Sequence, residues 1–168
     1  DARPEVNLPD VAFTLQTGRH RFPFRRTLTA RDPSDASRAL WPVDRKRVSQ
    51  RDGSPSEAKV AFLFPGAGSQ YLGMGRGLWE SEPVFKEAMA RCREILKELH
   101  GWDLTELLYG GKADPAALER PSLGNPAIFS VEYALSELWR SWGIEPDALI
   151  GHSRGEYAAA QVAGVLSL

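Results

Sequence analysis

The chain has 168 residues, 42% hydrophobic and 26% charged, with a formal net charge of -1, a balance that suits one domain, or one domain with an appendage, able to bury a real core. It contains no apolar run of about 18 residues and its N-terminus is polar and charged, so neither a membrane span nor a signal peptide is indicated and a cytoplasmic location is the default. The single cysteine, Cys92, excludes an internal disulfide and a cysteine-built metal site; it falls on an apolar helical face and reads as core, and no metal is expected.

Charge is unevenly spread. Residues 1–59 carry 12 Lys+Arg against 8 Asp+Glu and residues 60–168 carry 9 against 14, so the two parts are +4 and -5. The arginines of the first part alternate with acids and turn residues and build no basic helix. A solvated face, or a contact with an acidic neighbouring domain, accounts for them better than nucleic acid does.

In chain order, Asn7 reads as the N-cap of a helix with Asp10 in its first turn, and Leu8, Val11, Ala12 and Leu15 recur at helical spacing until Gly18. Phe24 to Ala30 alternates as a short strand, and Asp32-Pro33-Ser34-Asp35 opens a second helix through Trp41. Three such elements make a small α/β unit with too little core to stand alone. Pro42 to Lys59 is polar, with Gly53 and Pro55 and no hydrophobic period, and reads as a linker. The expected division is therefore 1–59 and 60–168.

Val60 to Phe64 is a continuous apolar strand of the kind buried on both faces of a parallel sheet. The glycine-rich loop Pro65 to Gly77 follows it. That loop is no dinucleotide fingerprint, because Tyr71 stands where the third glycine belongs, and no phosphate loop, because no Gly-Lys-Ser/Thr follows. Glycines at a strand end do let backbone N–H groups approach a substrate, as an oxyanion hole requires. Pro83 to His100 reads as an amphipathic helix, Asp103 to Leu108 as a short helix or turn, and Asn125-Pro126 as the start of a helix buried nearly all round and ended by Gly143.

The chemistry concentrates at Gly151-His152-Ser153-Arg154-Gly155-Glu156, which fits Gly-x-Ser-x-Gly. In a chain with 15 glycines the pentapeptide alone means little. Its surroundings give it weight: Asp147 to Ile150 reads as a short strand and Tyr157 to Ala163 as a helix, so Ser153 lands on a strained strand-to-helix corner. Gly151 and Gly155 allow close packing on either side, and the helix turns its positive end toward the place where an oxyanion forms. Strand, helices, strand and helix in this order give an α/β fold with a parallel-sheet core and helices on both faces.

Three stretches together resemble the malonyl-CoA to acyl-carrier-protein acyltransferases, above all the acyltransferase domains of modular type I polyketide synthases. They are Phe62 to Gln70, Asn125 to Phe129, and Gly151 to Glu156. Residues 8–41 resemble the linker that joins ketosynthase to acyltransferase in those synthases. The resemblance implies an incomplete α/β-hydrolase-like acyltransferase subdomain after a small α/β linker unit. It implies Ser153 as nucleophile, the backbone N–H groups of Ala67 and Arg154 as oxyanion hole, and an active-site neighbourhood of Gly66, Gly68, Gln70, Asn125, Gly151, His152 and Gly155. No cofactor is bound; a coenzyme A thioester is the substrate and the phosphopantetheine thiol of an acyl carrier protein the acceptor. The implied partners are that carrier protein, the adjoining ketosynthase and the remainder of the acyltransferase domain, with no nucleic acid and no membrane.

Three positions depart from the family pattern. Ala67 and Asn125 stand where glutamine is usual, and Arg154 replaces an aliphatic side chain or glutamine beside the nucleophile. The family's catalytic histidine and carboxylate-binding arginine fall C-terminal to Leu168, and His20, His100 and His152 do not take the base's place. The fragment is therefore expected to be inactive by itself. Two other readings share some of these features: an α/β-hydrolase-type serine hydrolase, which passes the acyl group to water, and a non-catalytic interdomain scaffold.

Overall fold

The computed structural model describes residues 6–20, 22–51, 53, 59–111 and 114–168. The chain forms two units, Asp1–Ala58 and Lys59–Leu168.

In the first unit, helix α1 (Leu8–Thr17) starts at Asn7 and ends where the Gly18 N–H reaches the Thr14 carbonyl. Strand β1 (Arg25–Leu28) and helix α2 (Pro33–Leu40) follow, the latter capped by the Asp32 carboxylate, which accepts from the Asp35 N–H at 2.7 Å. The linker expected at 42–59 is not featureless. Val48–Arg51 forms strand β2, antiparallel to β1 with Leu28 opposite Val48 and Arg25 opposite Arg51; Pro55 and its neighbours at 54–58 lie outside the described residues. Polar composition hid this strand because only Val48 of its four residues is buried, so it has no apolar alternation to read.

Asp35 holds this unit together. Its carboxylate is buried, takes a two-pronged contact from the Arg47 guanidinium at 3.0 and 2.9 Å, and accepts the Arg31 N–H at 3.1 Å. The Arg47 hydrogen bonds, with that of the Arg31 amide, keep its carboxyl far below the usual carboxylate range.

In the second unit, β3 (Ala61–Phe64) leads through the glycine-rich loop into α3 (Arg76–Ser81), then α4 (Pro83–His100) and α5 (Leu104–Tyr109). A 3-10 helix (Pro115–Glu119), the long helix α6 (Pro121–Ser141), β4 (Ala148–Gly151) and α7 (Gly155–Val162) complete it. Helix α6 starts at Pro121, four residues before the expected Asn125, and Pro126 sits inside it. Five residues into the helix, a proline removes one hydrogen bond yet keeps a helical φ, and the Ser130 hydroxyl adds one by donating to the Pro126 carbonyl at 2.7 Å.

The main core lies between α4 and α6. Phe85, Met89, Leu104, Leu108 and Ala134 are completely enclosed there, with Cys92 beside them. Each fully buried Leu, Phe or Met side chain contributes about 1.5–3 kcal/mol, so these residues fix the two helices on each other. Burial pushes the Cys92 thiol up to about 11, which makes it an inert core group.

Strands β3 and β4 are parallel, with Phe62 opposite Leu149, Leu63 opposite Ile150 and Phe64 opposite Gly151. Phe62, Phe64 and Leu149 pack with Ala158 and Val162 of α7 and Phe129 of α6. The α/β class and the parallel pairing agree with the sequence. Alternate residues of a strand face opposite ways: Phe62, Phe64 and Leu149 pack inward, whereas Leu63 is 70% and Ile150 56% exposed.

Candidate active site

Both parallel strands end at the same point, and the serine stands there. The ladder runs one step past β4, with the His152 N–H donating to the Phe64 carbonyl at 2.9 Å. The chain then reverses sharply. Ser153 has φ +54, the only non-glycine residue with positive φ among the described residues. A bulky-enough L-residue held there costs about 1–3 kcal/mol and persists only where its surroundings enforce it. The turn is closed by the Gly155 N–H to the His152 carbonyl at 3.0 Å and the Glu156 N–H to the Ser153 carbonyl at 3.2 Å.

Missing β-carbons make this corner possible. A Cβ on Gly151 would overlap the Glu156 backbone, and one on Gly155 would overlap the Phe64 carbonyl. Strand ends and α7 therefore meet backbone to backbone. Gly66 does the same for the loop after β3: a Cβ there would lie 2.8 Å from the His152 carbonyl oxygen and 3.2 Å from the Ser153 Cβ. The loop after one strand is thus pressed against the elbow after its neighbour.

Ser153 is exposed, and its hydroxyl has no hydrogen-bond partner among the described residues. Ala67 follows Gly66 in the loop after β3, and Arg154 follows the serine. Neither backbone N–H has a carbonyl partner among the described residues, so both are available to an incoming oxygen. The Arg154 side chain is exposed and Arg154 sits at the N-terminus of α7, whose dipole favours negative charge nearby.

Gly68 has φ +106, and its N–H donates to the Gln70 side-chain oxygen at 2.7 Å. The Gln70 amide nitrogen donates in turn to the Leu118 carbonyl at 3.2 Å. Asn125 is half-buried on α6, one turn before Phe129, which packs on Phe64 and Ala158; the i, i+4 spacing puts Asn125 on that same face. Of the other two histidines, His100 ends α4 and His20 belongs to the first unit. His152 is in the elbow itself.

A cavity of about 650 Å³ lies elsewhere. It runs along the free edge of β3, lined by Leu63, Phe64, Tyr71, Glu132 and Trp139, and Ser153 is not in its wall. Glu132 is the one acid there. It is 6% exposed, its Oε1 has no partner among the described residues, and burial pushes its carboxyl up to about 7. It lies between Val131 and Tyr133 on α6, a helix read as buried nearly all round, and burial by partners distant in sequence leaves no mark on a single acid. No group of three or more metal-ligating side chains occurs among the described residues.

Residues 61–168 match the acyl transferase domain family. The chain belongs to that family. Residues 1–40 match a second family, the CurL-like C-terminal region of polyketide synthases. The chain is 42% identical over 169 residues to the erythronolide synthase EryA2 of Saccharopolyspora erythraea, covering 98% of this chain and 5% of that protein. It is 38% identical to the orsellinic acid synthase armB of Armillaria mellea, covering 97% of this chain and 7% of that one. Among solved structures, the acyl transferase domain of ZmaA superposes with a TM-score of 0.90 at 38% identity, covering 99% of this chain and 39% of that one. The acyl transferase domain of SpnD, solved with 2-(pent-4-yn-1-yl)malonyl, gives 0.79 at 39% identity, covering 98% of this chain and 38% of that one. The chain thus spans a small part of the curated relatives and about two fifths of the solved domains, and its relatives are polyketide synthases.

Proposed function

We propose that this chain is the nucleophile-bearing part of a polyketide synthase acyltransferase domain, moving a malonyl-type extender unit from coenzyme A to a carrier protein. The observation that carries the reading is Ser153 at φ +54 on the corner after β4, with the loop after β3 pressed against it. The family match over residues 61–168 supports it.

In the first step Ser153 Oγ attacks the thioester carbonyl and gives up its proton to a base. The C–S bond then breaks, coenzyme A leaves as the thiol, and the acyl group stays as a serine ester. The oxyanion between these events takes hydrogen bonds from the Ala67 and Arg154 N–H groups, each such donor being worth about 10²–10³ in rate. In the second step the phosphopantetheine thiol of an acyl carrier protein attacks the ester and Ser153 is released. No cofactor takes part. The resemblance puts the base, a histidine, and the carboxylate-binding arginine C-terminal to Leu168, in the remainder of the domain.

Residues 1–59 are proposed as the segment that joins this domain to a ketosynthase, on the strength of the match at residues 1–40. The whole assembly is then a cytoplasmic multidomain enzyme, with the carrier protein and ketosynthase as its partners. Intact-mass spectrometry after incubation with malonyl coenzyme A tests the catalytic reading. The complete domain gains one malonyl group, Ser153→Ala gains none, and residues 1–168 alone gain almost none. Rapid stoichiometric acylation of the 168-residue chain would show that the base has been misassigned. Release of free malonate faster than transfer to the carrier protein would favour a hydrolase.

A further inference from the structure

We infer that Gln70 is a positioning residue for the oxyanion hole, a side-chain latch that ties the loop carrying Ala67 to the helical core. The inference rests on the acyltransferase reading of Ser153. Ala67 is exposed and belongs to no helix or strand, so nothing regular holds its N–H in place. Its two neighbours are held instead. On one side Gly66 is buried against the His152 carbonyl and the Ser153 Cβ. On the other, the Gly68 N–H is captured by the Gln70 Oε1 at 2.7 Å.

The latch is anchored at its far end. Gln70 Nε2 donates to the carbonyl of Leu118, whose side chain is 3% exposed in the core between α4 and α6. Gly124 of α6 lies directly over that carbonyl: a Cβ there would overlap the Leu118 oxygen and stand 3.4 Å from Gln70 Nε2. The primary amide suits the task because it accepts at one end and donates at the other. No apolar or singly functional side chain of that length does both. Gly68, at φ +106, turns its N–H toward Gln70 in a conformation that a larger residue resists. With both flanking peptides fixed, the Ala67 N–H is preorganised before the oxyanion forms, which is what transition-state stabilisation requires.

The experiment uses the complete acyltransferase domain and malonyl coenzyme A, measuring the acylation rate constant and the half-saturating substrate concentration. Gln70→Leu, close in size but unable to hydrogen bond, is expected to lower the rate constant about 10–100-fold, a partial loss of what one oxyanion donor supplies. Half-saturation should change less than twofold. Gln70→Glu keeps the acceptor for the Gly68 N–H and opposes a carboxylate to the Leu118 carbonyl. Facing the Leu118 carbonyl disfavours the charged form and raises that carboxyl above the ordinary glutamate range. The variant's deficit relative to wild type should therefore shrink as pH falls from 8 to 5 and the carboxyl protonates and regains a donor. A merely structural contact predicts no such recovery. Wild-type rates in Gln70→Leu, a loss confined to half-saturation, or a Gln70→Glu deficit that is flat with pH would each overturn the latch. If Gln70→Leu does not fold, the pH profile of Gln70→Glu decides. Acylation that persists in Ser153→Ala would sink the underlying reading instead, so the two failures are separable.

Discussion

Glu132→Gln is expected to stabilise the 168-residue chain at alkaline pH and to do little in acid. In the native fold burial moves the Glu132 carboxyl from 4.5 to about 7, whereas in the unfolded chain it titrates near the ordinary value. The folded protein therefore binds the proton more tightly. Stability is fully present below about 4.5 and is lost as pH rises through about 7. At about 1.36 kcal/mol per pH unit, the displacement amounts to about 3 kcal/mol. The cavity that Glu132 lines opens to solvent, and water that reaches the carboxylate from it relieves part of the desolvation, which brings the figure to about 1–2 kcal/mol. Glutamine keeps the shape, cannot ionise, and leaves every other titrating group as it was. Urea unfolding of both proteins at pH 5 and pH 8.5 isolates the effect. With a slope of about 1–3 kcal/mol/M, the variant's midpoint should gain roughly 0.5–1.5 M on wild type between the two conditions. A gap that is the same at both pH values, or one that moves in favour of wild type as pH rises, refutes the argument.

Three other changes have definite expected outcomes. Gly66→Ala in the complete domain drives a methyl group to 2.8 Å from the His152 carbonyl and should cost about 1–3 kcal/mol of stability; acylation should fall further than the unfolded fraction explains, and an acylation rate equal to wild type at full folding would count against the packed elbow. Arg154→Leu should lower the malonyl-to-acetyl transfer ratio by about tenfold, the worth of roughly one charge-assisted hydrogen bond; an unchanged ratio means the exposed guanidinium plays no part in choosing the acyl group. Asp35 is held ionised by Arg47, so its contribution is present above the ordinary carboxylate value near 3.8 and is lost as pH falls below it. Protection of the Arg31 amide, read by hydrogen exchange, should be lost on acidification in wild type and be weak at every pH in Arg47→Ala.

The elbow was legible because its chemistry is local: a serine between glycines, an apolar strand before and an alanine-rich helix after leave few other arrangements. Helices α4 and α5 were readable for the same reason, since their apolar spacing and the Asp103 cap sit within single segments. What escaped depends on distant partners. Strand β2 exists because β1 lies opposite it, and three of its four residues are exposed. The start of α6 at Pro121 is stabilised by the Leu118 carbonyl and Gly124 packing against each other, while Asn125-Pro126 carries the stronger local signal. The burial of Glu132 and the Gln70 bridge likewise depend on residues far off in sequence, the bridge spanning 48 positions. Sequence spacing gives such pairs no mark.

The pairing of β3 with β4 sets an order of assembly. Val60 and Asp147, which meet at the start of the two strands, are 87 positions apart, and closing a loop of that length costs about 4 kcal/mol of chain entropy. The α4 and α6 pairing closes a shorter stretch and gains a large apolar core at once, so it can form first and supply the frame on which the strands then meet. Non-local parallel pairing is intrinsically slow. Ser153 acquires its left-handed backbone only when that late step is complete. A variant that weakens the strands while sparing the helices would keep nearly all its helical circular dichroism and yet hold the serine on a relaxed loop, so far-ultraviolet spectra would report a native protein where no nucleophile is in place.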